Sequence, residues 1–75
     1  MSLSDERLIE KLCQEHGEFK RIVQEHREYD RQLRAFSGKT FLTVGEELDV
    51  VRLKKLKLKA KDRMFRLMAE YAKQQ

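Results

Sequence analysis

Residues 53–67 run Leu53-Lys54-Lys55-Leu56-Lys57-Leu58-Lys59-Ala60-Lys61-Asp62-Arg63-Met64-Phe65-Arg66-Leu67, and their reading decides the fold. At 100° per residue the apolar positions of this stretch and its flanks fall on two helical faces instead of one. Leu53, Leu56, Ala60, Met64, Leu67 and Tyr71 share one face, spaced 3, 4, 4, 3 and 4. Val44, Leu48, Val51, Leu58, Phe65 and Ala69 lie roughly opposite, spaced 4, 3, 7, 7 and 4, with Lys55 and Asp62 in the skipped slots. Bases fill the ridges between: Arg52, Lys59, Arg63 and Arg66 on one, Lys54, Lys57 and Lys61 on the other.

Working outward, no residue breaks the helical pattern between Val44 and Lys73, which predicts a helix of about 45 Å at 1.5 Å per residue. Just before it, Thr43-Val44-Gly45-Glu46 has the spacing of a capping box, in which the hydroxyl and the carboxylate each take a free N–H. Further upstream, Leu8, Leu12, Phe19, Ile22, His26, Tyr29, Leu33 and Phe36 form a single helical stripe. Ser4 followed by Asp5, Glu6 and Arg7 offers an N-terminal cap, and Gly38 just past Phe36 reads as a helix stop. Gly17 interrupts the stripe and predicts a bend.

The expectation is an all-α chain, one domain over residues 1–75, folded as an antiparallel, coiled-coil-like hairpin of two helices. Helix one covers about 4–36 with a break near Gly17, the loop 37–43, and helix two about 44–73. A single stripe on helix one can cover only one face of helix two. The other would stay bare over several turns, which monomers rarely allow. The sequence therefore predicts self-association into a helical bundle, as a homodimer or higher homo-oligomer, through Leu53, Leu56, Ala60, Met64, Leu67 and Tyr71. With Phe36 set near Val44, facing residues would add to about 80, placing Glu25 beside Lys55. Glu25, Lys55 and Asp62 are then candidates for a register-fixing polar set.

Composition narrows the function. The chain has 75 residues, 40% apolar and 40% charged, without Pro or Trp. That excludes a collagen-like chain and a Pro-rich linker, and it leaves little chain to wall a substrate pocket. One cysteine, Cys13, allows no internal disulfide and suits a reducing compartment; a small packed side chain is its simplest role. The first residues carry acids and no apolar run, and nowhere do ~18 apolar residues follow one another. The expected location is cytoplasmic, with no membrane span.

No catalytic residue, metal ligand or cofactor-binding motif emerges. His16 and His26 are ten apart, not the i, i+4 pair that grips zinc on one helix. Ser37-Gly38-Lys39-Thr40 lacks the upstream Gly and preceding strand of a phosphate loop. Carboxylates on helix one alternate with bases at the spacing of surface ion pairs. The feature with partner chemistry is the run from Arg52 to Arg66, eight bases against one acid. Its candidates for contact with an anionic partner, whether an acidic protein or nucleic acid, are Arg52, Lys54, Lys57, Lys59, Lys61, Arg63 and Arg66. No stacking aromatic is expected to be exposed among them, which argues against single-stranded recognition.

His16-Gly17-Glu18-Phe19, Ile22, Glu25-His26, Tyr29-Asp30 and Leu33 together resemble the first-helix signature of the YdcH-like family of short bacterial proteins of unknown function. That family's second half typically carries a Leu-Lys-Lys run leading to Leu-x-Leu-Lys-Asp-Glu, and Leu53 to Arg63 is similar. The resemblance covers roughly residues 8–71. It departs at Gly17, where Pro is common, at Ala60, usually Leu, and at Arg63, usually Glu. It implies a helical hairpin and bacterial origin, and it brings no active-site residue or ligand. The expected function is a non-enzymatic interaction or assembly module, with an accessory nucleic-acid binder as the alternative.

Overall fold

The computed structural model describes residues 3–73, which form three α-helices and no strand. These are α1 (Leu3–Glu15), α2 (Gly17–Ser37) and α3 (Val44–Lys73), enclosed in 48 × 20 × 18 Å. The chain is all-α. α1 starts one residue before Ser4, the expected cap.

The break expected near Gly17 falls one residue earlier, at His16, which is extended at φ −131° and ψ 109°. Gly17 has no positive φ, and a methyl group there would meet nothing within 4 Å, so the bend does not depend on glycine. Neighbouring hydrogen bonds survive the kink. His16 N–H donates to Leu12 O at 2.8 Å, and Lys20 N–H donates to His16 O at 3.0 Å. The imidazole of His16 stacks on Tyr71, with ring centres 3.8 Å apart, and Phe19 meets the same Tyr71 edge-on at 6.2 Å. These contacts pin the bend to the far end of α3.

Past the bend α1 folds back along α2, so that Glu6, Ile9 and Glu10 line one cleft with Val23, His26, Arg27 and Asp30. Ile9, Leu12, Phe19, Ile22, Val23, Ala60 and Met64 form the buried core, with Cys13, Tyr29, Leu67, Met68 and Tyr71 packed against it. Leu53 is buried as well. The single stripe read across helix one is thus divided. Leu12, Phe19 and Ile22 are inside, but Leu8 is exposed, and Ile9 and Val23 outside that stripe are buried. The cause is that α1 and α2 each touch more than one neighbour, and a helix between two neighbours needs a wide apolar face.

The turn into α3 is built as the sequence suggests. Glu46 N–H donates to Thr43 Oγ1 at 3.1 Å, and Thr43 N–H donates back to Glu46 Oε1 at 3.1 Å. Lys39 Nζ also pairs with the Glu46 carboxylate, and this pairing, with the Thr43 N–H, holds its pKa below the ordinary value. Thr43→Ala removes one side of the box and should cost about 1 kcal/mol. A thermal melt by circular dichroism should then shift down by roughly 4–8 °C, and an unchanged melt would show that the box carries no stability.

Register differs from expectation. Asp30 meets Lys57, and His16 meets Tyr71, so facing residues add to about 87 instead of 80. The loop carries the chain beyond the end of α2, and α3 spends its first two turns returning to the level of Phe36.

Candidate docking surface

The structure reverses the roles of the two faces of α3. Leu53, Ala60 and Met64 are buried, and Leu56, Leu67 and Tyr71 are half-buried. The face expected to associate between chains is therefore the inner face of this chain. It is taken because the fold-back of α1 adds a second cover beside α2. The opposite face is bare: Val44, Leu48, Val51, Leu58 and Phe65 are between 46% and 76% exposed. Lys55, Asp62 and Ala69 are exposed on the same stripe, and Phe41 in the preceding loop is 87% exposed.

Glu25, Lys55 and Asp62 do not come together as a register set. Lys55 and Asp62 sit on the bare face, turned away from α2. The cross-helix ion pair is Lys57 with Asp30 at 2.7 Å, with both side chains about a third exposed or less. That hydrogen bond, ahead of nearby charge from Arg34, lowers the Asp30 pKa. The sequence set Glu25 beside Lys55 and missed Asp30 with Lys57, because the assumed register was short by about two helical turns.

Electrostatically most bases of α3 are uncompensated. Two of the four acids of α2 are engaged by bases of their own helix: Glu28 with Arg31, and Asp30 with Arg34 as well as Lys57. Arg31 and then Gln32 hold the exposed Glu28 carboxyl at about 2. On α3, Lys57 is committed to Asp30, and Arg52 lies 3.6 Å from Asp49. Among the described residues, Lys54, Lys55, Lys59, Lys61, Arg63 and Arg66 have no carboxylate within 4.0 Å. Arg63 and Arg66 share a shallow cleft with Glu18 and Glu70 without closing an ion pair. Of the seven bases expected to meet an anionic partner, Lys57 is used internally, Arg63 lines the cleft beside α2, and the other five border the bare stripe. Lys61 Nζ rests 5.8 Å from the centre of the exposed Phe65 ring, so an aromatic does stand open among the bases, contrary to the expectation from sequence.

Two clefts are present elsewhere. One of ≈300 Å³ lies between α1 and α2, and one of ≈410 Å³ lies near the loop between Leu33, Phe36, Leu42 and Val50. The first holds His26, whose Nε2 is buried and makes no hydrogen bond among the described residues. Its pKa is lowered, first by burial and then by the charge of Lys57, with Asp30 opposing. The sign is fixed by that direction. Below the ordinary value of 6.5 the unfolded chain binds a proton that the folded chain resists, so stability is lost as pH falls. Asp30, also depressed, loses its contribution only below its ordinary 3.8. Urea midpoints should therefore drop between pH 7.5 and 5.5, and His26→Gln should shrink that drop. A variant that keeps the full pH dependence would assign it to another group.

No group of three or more metal-ligating side chains gathers among the described residues, and no helix there is long and apolar enough to cross a membrane. No curated protein and no solved structure matches the chain. Residues 19–68, which take in most of α2, the loop and α3 through Met68, match the family described as a protein of unknown function (DUF465), and the chain belongs to that family.

Proposed function

We propose that the chain is a non-enzymatic helical interaction module whose working surface is the bare stripe of α3. The observation that carries this reading is the line of exposed Val44, Leu48, Val51, Leu58 and Phe65 along one helix face. Leaving such a line in water forgoes stabilisation at ~25 cal/mol per Å². Its alternating 3- and 4-residue steps, with Lys55, Asp62 and Ala69 completing the series, are those of a helix that packs against another helix. The docking face is thus the one opposite to that expected from the sequence.

Nucleic-acid binding is the alternative, because the ridge bases lack carboxylate partners. Phosphates would satisfy the ridges but bury none of the Leu, Val and Phe between them, which favours a protein partner. A photo-crosslinking side chain placed at Leu58, or at exposed Arg31 on α2, tests the reading in cells that make the chain. Protein adducts are expected at position 58, few at 31, and none should disappear on nuclease treatment. Equal adducts at both positions would show that the stripe is not the docking surface. Adducts lost with nuclease would move the function to nucleic acid.

A further inference from the structure

The bare stripe extends from Val44 to Ala69, about 38 Å along the helix. Its two edges carry the same sign. Arg52, Lys59 and Arg66 border it on one side, and Lys54 and Lys61 on the other, with Glu47 the one acid at an edge. Two charged residues lie within the stripe itself, Lys55 and Asp62.

A second copy meets this surface badly. In an antiparallel two-fold pairing centred near Ala60, Lys55 would lie one layer from Asp62 of the other copy twice, which is favourable. The same register sets Arg52 against Arg66 twice, and Lys59 and Lys61 each against itself. Pairs of this kind are individually comparable in size, so the like-charge meetings outweigh the favourable ones. A parallel pairing is worse, because Lys55 then faces Lys55 and Asp62 faces Asp62. An anionic lipid surface suits the edges but not the centre line, where the Asp62 carboxylate would sink among lipid phosphates. A helix with acidic edges suits both basic edges, and a single base on its seam suits Asp62.

We infer that the occupant of the α3 stripe is an amphipathic helix of a different chain, acidic along both edges of its apolar seam. That helix places an acid opposite Lys55 and a base opposite Asp62. The inference rests on the stripe being a docking surface and adds the chemistry of what docks. The two internal charges set register, since sliding by one heptad would bring Lys55 or Asp62 against an apolar side chain. The edge bases then supply attraction and encounter rate, which salt screens.

The test uses two synthetic peptides of about four heptads, long enough to span the stripe. Both carry Leu along the seam, with one Glu and one Lys placed to meet Lys55 and Asp62. One has Glu at every edge position and the other has Lys. The full chain is titrated with each at low and high salt, sedimented alone at micromolar concentration, and mixed with phosphatidylglycerol vesicles. The Glu-edged peptide should bind on the order of a hundredfold more tightly at low salt, the gap closing as salt rises. Leu58→Asp should abolish binding, and Lys59→Glu with Lys61→Glu should narrow the preference. Helical content by circular dichroism checks that these exposed substitutions leave the fold intact. Equal binding of both peptides, lost with Leu58→Asp, would overturn the acidic partner and leave the docking surface standing. Binding of neither peptide by a monomeric chain would overturn both. A dimer in the absence of peptide, or vesicle binding without peptide binding, would give the stripe to a second copy or to lipid and overturn the inference.

Discussion

Phe19→Ala should melt at least ~12 °C below the parent chain, and on a weak background it should not fold at 25 °C. Phe19 is fully buried at the point where all three helices meet, beside Leu12 of α1 and edge-on to Tyr71 of α3. Truncating a buried Phe removes both its transfer free energy and the packing around the hole, about 3–5 kcal/mol. At roughly 0.05–0.15 kcal/mol per residue, a chain this short holds about 4–11 kcal/mol in total. One side chain therefore carries about a quarter or more of the stability. Phe19→Leu, which keeps most of the volume, should cost much less. Thermal and urea melts of the two variants read the difference directly. A Phe19→Ala midpoint within a few degrees of the parent would mean that the helices do not converge on this residue.

The second large effect comes from two adjacent residues. Met64→Asp should unfold the chain, and Phe65→Asp should leave its stability nearly unchanged. Met64 is 3% exposed within the core, so an aspartate there is a buried carboxylate without a partner, costing about 3–5 kcal/mol or forcing protonation. Phe65 is 46% exposed on the bare stripe, where surface substitutions usually stay within about 0.5 kcal/mol. Neighbouring positions on a helix differ by 100°, and here that rotation is the difference between core and open surface. The pair also decides which face is inside. A stable Met64→Asp with an unfolded Phe65→Asp would restore the face assignment read from sequence.

That assignment could not be made from the pattern alone, and the reason lies in α1. Two stripes on α3 were legible from spacing, as were the helix from Val44 to Lys73 and the reciprocal bonds of Thr43 and Glu46. Which stripe is covered depends on what lies against it. Reading Leu8 to Phe36 as one continuous stripe hid the reversal at His16, which brings Ile9 and Leu12 onto Val23, Ala60 and Met64. A signal was present in the doublets Leu8-Ile9 and Ile22-Val23, which widen the apolar face as a helix with two neighbours requires. A second signal was Lys55 and Asp62, since paired charges interrupt one stripe of α3 and none interrupt the other. Charges within a stripe mark the side that meets water or a partner. Register was illegible for a different reason. It depends on how far the loop projects beyond α2, and no spacing rule fixes that distance.

The bend at His16 has a mechanical consequence. One residue's torsions separate a folded-back α1–α2 pair from a single straight rod, since the flanking bonds from His16 to Leu12 and from Lys20 to His16 are those of helix ends already formed. Opening that joint breaks the His16–Tyr71 stack and uncovers Ile9 and Leu12, but it leaves the Asp30–Lys57 pair and the capped start of α3 in place. The chain thus joins a long pair of helices to a short arm on a one-residue pivot. The arm's grip is set by its own few buried side chains and by the ring that clamps the pivot.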